Sequence, residues 1–272
     1  QVGDAVNAVA AKRGSVFVPE MVEALKRLAR RDYVWLELSS GAAEGVSRKG
    51  LAVRHYHLGL EQMRAFARLL ARLVDFKSEF TATHTSGLVA VALELAADFG
   101  FTDEDLKRME VAAYLHDVGK LAVPLEILEK PGRLDAAEWP VMRSHVYYTY
   151  AVLNKVAGLQ EIAAWSALHQ ERLNGTGYPF GYEAAALPLG ARILAVADVF
   201  TGITEDRPYR EGMSAEAARA VFRDSVGRGE LDGEIVGVLL NGYDRFDTAR
   251  AEAQAAALED FAAFRARFQA CV

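Results

Sequence analysis

The chain has 272 residues, 51% of them apolar and 25% charged, with a formal net charge of −6. That apolar content excludes a disordered tail and is enough for one large domain or two modest ones. The acidic balance, with Lys and Arg dispersed along the chain, excludes the basic footprint of a duplex-binding protein, although a local basic cluster could still hold a small anion.

In chain order, apolar periodicity predicts a first helix over 18–36, where Met21, Val22, Leu25, Leu28 and Ala29 share a face. Ser39-Ser40-Gly41 and the glycines from Gly45 to Gly50 break it. A second amphipathic helix is expected over 60–74, carrying Met63, Phe66, Leu69, Leu70 and Leu73. A boundary near Asp75 would leave 1–74 as an N-terminal helical region, 75–242 as the main domain and 243–272 as a C-terminal helix.

Within the main domain, helices are expected over 85–99, 103–118, 135–153, 160–169, 189–204, 214–226 and 232–240. Thr102 with Asp105, Asp135 with Glu138 and Ser214 with Glu216 supply start signals. Pro140 would fall past the first turn of its helix and is expected to kink it. An Ala-rich helix over about 248–268 ends the pattern, and no set of alternating strands competes with it, so the fold class is all-α.

The single cysteine, Cys271, excludes an intrachain disulfide and a Cys-rich zinc module and favours a reducing, cytoplasmic setting. No apolar run reaches the roughly 18–20 residues that span a bilayer, and the N-terminus lacks a signal-peptide layout. Because the first residue is Gln1 rather than Met, the cytosolic part of a larger bacterial protein is one expectation.

Several helices carry a His or Asp inside an otherwise apolar stretch. His116 and Asp117 interrupt the run from Val111 to Val118, and Asp198 interrupts the run from Ile193 to Phe200. His145 and His169 stand in similar company, and His84 precedes an apolar helix. An unpaired carboxylate in such a place costs several kcal/mol, or titrates instead. Each of these groups therefore needs a partner, and one bound cation satisfies several at once.

A single helical histidine is ordinarily a hydrogen-bonded core or surface residue, and His55 and His57 stay with that reading. The set is different, because imidazoles and carboxylates projecting from facing helices are how bundles build metal sites. Mixed N/O donors suit Fe, Mn, Zn or Ni better than Ca or Mg. His116 and Asp117 lie about 100° apart on a helix, so both reach one cation only if the turn ends there, as Gly119 supports, or if the cation sits between them.

His116-Asp117-Val118-Gly119-Lys120, followed by Asn174-Gly175-Thr176-Gly177-Tyr178-Pro179, resembles the HD-GYP family, a branch of the HD metal-dependent phosphohydrolases. The likeness runs from about Asp75 to Gly242 and includes Lys130-Pro131-Gly132, Ala197-Asp198-Val199-Phe200 and Asp206-Arg207-Pro208-Tyr209-Arg210. The resemblance implies an HD-domain helical bundle that hydrolyses a bacterial cyclic dinucleotide, chiefly cyclic di-GMP, to linear pGpG or GMP. It implies a first metal held by His84, His116, Asp117 and Asp198, and a second held by Asp117, His145 and His169 with Asp117 bridging. Fe or Mn leads, with Zn or Ni as alternatives, and two such ions would activate water for in-line attack on phosphorus.

By the same resemblance, Lys120 contacts the scissile phosphate or the metal-bound water; its alternative is a solvated helix-end lysine. Arg207 and Arg210 match residues that grip the ligand's phosphates or bases, which suits a planar guanidinium, and a plain surface loop is the alternative. Gly177 would let backbone approach a ligand, and Tyr178, before Pro179, could stack on guanine. The motif is also tied to docking of diguanylate cyclase (GGDEF) domains, and a homodimer stays open. Glu171 would orient a histidine from behind or lie exposed.

The sequence also departs from the family pattern. His169-Gln170 stands where most active members have two histidines, so the second metal would be weaker, replaced or absent, with the Gln170 amide oxygen as a poor substitute. Phe80 replaces the glutamate that holds a third metal in some members, with Glu79 on another face, and Thr201 replaces a common acidic residue. Two further functions stay open: a catalytically weak binding or sensor module, motivated by Gln170, and an HD-type nucleotidase.

Overall fold

The computed structural model describes residues 2–32, 57–77, 83–206 and 211–269, and among them every regular element is a helix. Two short helices, α1 (Val2–Ala10) and α2 (Pro19–Leu28), come first. α1 was not expected, and α2 ends well before residue 36; the remainder of that expected helix from residue 33, the glycine-rich break and His55 lie outside the described residues. His57 is exposed.

α3 (Leu60–Lys77) turns Ala67, Ala71 and Val74 inward. It packs along α5 (Asp103–Leu115), and the Arg64 Nε–Glu110 Oε2 contact of 2.6 Å ties the pair. Asp75 lies within α3, and one continuous core runs from Ala67 on this helix to Phe246 near the C-terminal end.

At the centre are α4 (His84–Asp98) and α9 (Leu189–Thr204), packed on each other. Both are apolar on most sides, as helices surrounded by protein must be: Leu88, Val91, Ala92 and Leu95 on one, Ile193, Leu194, Val196 and Phe200 on the other, are fully buried. α5 begins with the reciprocal Thr102–Asp105 capping box that the sequence predicts. It ends at Leu115 and passes into a 3₁₀ turn over Val118–Ala122, followed by the short α6 (Leu125–Leu128).

α7 (Glu138–Leu153) starts three residues later than expected. Asp135 Oδ1 accepts from the N–H groups of Ala137 and Glu138, and Glu138 Oε2 accepts from Asp135 N. Pro140 is thus the third helical residue, in the turn whose N–H groups have no intrahelical acceptor, so the expected kink has no cause.

α8 (Gln160–Ala167), α10 (Ala215–Gly227) and α11 (Gly233–Asn241) complete the shell, with Ser214 and Asp232 capping the last two. α12 (Tyr243–Gln269) starts five residues before the Ala-rich stretch and lies against α4. Its first turn is core: Tyr243 meets Phe200 edge to face at 5.4 Å, and Phe246 is fully buried.

Candidate metal centre

The six polar interruptions converge. His84 is the first residue of α4, His116 and Asp117 directly follow α5, His145 is in mid-α7, His169 stands just after α8, and Asp198 is in mid-α9. Four of them, His84, Asp117, His145 and Asp198, line a cavity of about 470 Å³ together with Lys120, Gln170 and Arg172, and His116 and His169 stand beside them, their ligand atoms within 4.8 Å of those of Asp117. The four imidazoles are no more than 5% exposed.

The rings are fixed from behind. His116, His145 and His169 each place Nδ1 on a backbone carbonyl three residues upstream: Ala113 at 2.7 Å, Met142 at 2.6 Å and Ser166 at 2.6 Å. A carbonyl only accepts, so Nδ1 carries the proton and Nε2 keeps a lone pair unless the ring is charged. All three Nε2 atoms are buried without a hydrogen-bond partner. His116 Nε2 lies 3.1 Å from Asp117 Oδ2, and His145 Nε2 lies 3.2 Å from Asp117 Oδ1. Lone pair facing lone pair is repulsive, so each gap calls for a proton or a cation. One metal ion can fill several gaps, and the donor set fits it: ligand atoms of His84, His116 and Asp198 fall within 4.8 Å of one another, as do those of His116, Asp117 and His169.

His84 differs in its support. Its Nδ1 meets Glu205 Oε1 at 3.1 Å, and its Nε2 meets Asp198 Oδ1 at 3.1 Å. Burial works against a charged ring here, but the hydrogen bonds and charges of Asp198 and Glu205 outweigh it and lift the pKa to about 10. His169 goes the other way: burial, with the neighbouring His116, lowers it to about 4 and keeps the ring neutral. Burial would raise Asp117, yet the His116 ring and the Lys120 ammonium beside it outweigh that and hold the carboxyl well below its ordinary range.

The His116-Asp117 corner depends on Gly119, although not through a left-handed backbone. A Cβ there would stand 1.9 Å from the His145 carbonyl oxygen, so only glycine lets this turn lie against α7. Thr149 pins the same turn, accepting from Gly119 N at 3.0 Å and donating to the His116 carbonyl at 3.1 Å. Lys120 reaches back to Asp117 Oδ2 and is not merely solvated.

Gln170 does not offer its amide oxygen to the cavity. Asp198 can only accept, so the nitrogen faces it, Nε2 to Oδ2 at 3.0 Å, while the oxygen accepts from Tyr178 Oη at 3.1 Å. One face of the Tyr178 ring is covered by the Arg143 guanidinium, 4.5 Å from the centroid. Glu171 neither orients a histidine nor lies exposed: it is 2% exposed, and its carboxylate accepts from the N–H groups of Phe180, Gly181 and Tyr182 at 2.7–3.0 Å. It thereby folds the segment after Pro179, and Gly177 is needed because a Cβ there would come within 2.3 Å of the Glu171 backbone.

Arg207 and Arg210 lie outside the described residues, as do Glu79 and Phe80. Thr201 is fully buried, and its hydroxyl has no partner. Sequence reasoning missed Glu205, Arg172 and Gln254. Glu205 had a usable signal, since it follows Asp198 by two helical turns and so shares its face.

Residues 68–235 match the HD domain family. The chain belongs to that family. Its His116-Asp117 doublet and Gly177-Tyr178-Pro179 segment make it an HD-GYP member. It is 32% identical, over 86% of its length and 54% of the relative's, to 3'3'-cGAMP-specific phosphodiesterase 1 of Vibrio cholerae. It is 38% identical, over 67% of its length and 48% of the relative's, to the cyclic di-GMP phosphodiesterase response regulator RpfG of Xanthomonas campestris. The chain spans about half the length of the curated relatives it matches. The solved structure of Bd1817, an HDG"Y"P protein from Bdellovibrio bacteriovorus, covers 68% of this chain and 65% of its own with a TM-score of 0.52; at 18% identity this is a likeness of fold. No described helix of this HD-GYP chain is long and apolar enough to cross a membrane.

Proposed function

We propose that this HD-GYP chain is a metal-dependent phosphodiesterase that opens a cyclic dinucleotide, cyclic di-GMP. The observation that carries the reading is the three buried Nε2 lone pairs of His116, His145 and His169 converging on Asp117 with no protein donor to meet them. His84, His116, Asp117 and Asp198 would hold a first divalent ion, and Asp117, His145 and His169 a second. Iron or manganese suits four imidazoles and two carboxylates, ahead of zinc or nickel.

Bound there, divalent ions would lower the pKa of water toward neutrality and offset charge on phosphoryl oxygens. The chain's own residues do the rest. Lys120 and Arg172 line the same cavity as the carboxylates, so an anionic phosphodiester entering it meets two cations beside the ligand set. Both cyclic di-GMP and 3'3'-cGAMP enzymes stand among the relatives, which supports the substrate class.

Gln170 favours a second reading, a binding module that turns over slowly. It occupies Asp198 with an amide donor instead of adding an imidazole to the ligand set. Hydrolysis of cyclic di-GMP and 3'3'-cGAMP by the chain loaded with Mn²⁺ or Fe²⁺, measured beside ligand affinity, separates the two. Metal-dependent formation of linear dinucleotide or mononucleotide is expected. Tight binding without turnover would establish the module, and cleavage confined to ordinary nucleotides would point to a nucleotidase.

A further inference from the structure

Three of the four histidines of the site take their orientation from local backbone, a carbonyl three residues upstream in each case. His84 opens its helix, and its Nδ1 faces a side chain from a different part of the fold. That side chain is Glu205, just past the last turn of α9 and 2% exposed. An ionised carboxylate this deeply placed is costly unless both oxygens are engaged. Oε1 meets His84 Nδ1, and Oε2 accepts from Gln254 Nε2 at 3.1 Å.

Gln254 belongs to the long C-terminal helix, 49 residues from Glu205 in sequence, and is 9% exposed. Its amide orientation follows from its neighbours. Glu205 can only accept, so the nitrogen faces it, and Arg250 Nη1 can only donate, so the oxygen faces that, at 2.5 Å. Arg250 is itself held by Asp247 Oδ1 at 2.6–2.9 Å. The result is one continuous chain of side chains, Asp247–Arg250–Gln254–Glu205–His84, that runs inward from a half-exposed Asp247 to buried Gln254, Glu205 and His84 and ends 3.1 Å from Asp198.

We propose that Glu205 and Gln254 are positioning residues for the first metal: Glu205 holds the His84 ring through Nδ1 so that Nε2 points to the ion, and Gln254 holds Glu205, making the C-terminal helix part of the site. The proposal rests on the metal-centre reading above. A carboxylate behind a ligating imidazole fixes its tautomer and raises its donor strength, and losing such a partner lowers metal affinity about 10–100-fold. Neither Glu205 nor Gln254 lines the cavity, so their effect runs through His84.

The test is titration of the full chain with Co²⁺, following visible absorption for the ligand field and metal content for stoichiometry. Glu205→Ala, Glu205→Gln, Gln254→Ala and Asp198→Ala are compared with the parent chain, each checked by circular dichroism. Glu205→Ala should weaken the first position about 10–100-fold and alter the Co²⁺ spectrum. Glu205→Gln, which keeps an oxygen for Nδ1, should recover much of both, and Gln254→Ala should weaken binding by a smaller factor. Parent-like affinity and spectrum in Glu205→Ala, with Asp198→Ala depleted, would overturn the positioning role while leaving the metal centre standing. Parent-like binding in Asp198→Ala as well would overturn the metal centre and this role with it. If Glu205→Ala loses its helicity, Gln254→Ala decides: parent-like affinity and spectrum in that variant overturn the proposal.

Discussion

The Gln170 amide nitrogen donates to Asp198 Oδ2 at 3.0 Å, and His84 Nε2 lies 3.1 Å from Oδ1 of the same carboxylate. Asp198 is thus gripped on both oxygens. Gln170→His releases Oδ2 and puts an imidazole where an amide stood, so metal per chain should rise, measured by elemental analysis after saturation and desalting. An unchanged ratio would mean that position 170 has no bearing on the second ion.

Asp117 lies between two imidazoles, with His116 Nε2 on one oxygen and His145 Nε2 on the other. Asp117→Ala should therefore empty both positions while helicity stays near that of the parent, whereas His169→Ala should deplete chiefly the second. Retention of metal by Asp117→Ala would rule out its bridging role.

Two histidines respond to pH in opposite directions in the metal-free chain. His84, raised from 6.5 to about 10, binds its proton more tightly folded than unfolded, so its stabilisation is full below about pH 6.5 and is lost as pH rises through about 10. His169, lowered to about 4, stabilises above 6.5 and loses that contribution as pH falls through about 4. The metal-free thermal midpoint should decline on both flanks, and Glu205→Gln should flatten the alkaline one. Because a cation needs the His84 Nε2 lone pair, metal binding at pH 8 should release protons, seen calorimetrically as a heat that varies with buffer ionisation enthalpy. A buffer-independent heat would contradict this.

Gly119→Ala drives a methyl group into the His145 carbonyl. Overpacking of this kind costs about 1–3 kcal/mol. The displaced turn carries Asp117, so denaturant midpoint and metal affinity should fall together. A stable variant with parent metal content would show that the turn relaxes elsewhere.

Glu171→Ala leaves three N–H groups, of Phe180, Gly181 and Tyr182, without their acceptor. Each buried unmet donor costs about 1–3 kcal/mol where water cannot reach it. Faster amide exchange over residues 177–182, with metal content retained, is the expected signature. Loss of metal without a change in exchange would instead place Glu171 behind a ligand.

Much of this protein was determined locally. Apolar runs mark α4, α5 and α9, because they record how much of each helix must be buried, and the same runs expose His116, Asp117 and Asp198 as polar groups in need of partners. The Thr102–Asp105 cap is equally local, since its partners are three residues apart. Pro140 misled because the helix start was set by the Asp135–Glu138 exchange of hydrogen bonds, which shifted the first turn by three residues. Other features depended on packing and involve side chains whose partners lie outside their own helix. Gln170 points its nitrogen at Asp198, Glu171 folds the loop after Pro179, Gly119 yields room to α7, and Gln254 reaches Glu205 from the C-terminal helix. A sequence shows which residues must find a partner; packing of one helix against another chooses it, and hydrogen-bond donor and acceptor identity then sets its direction.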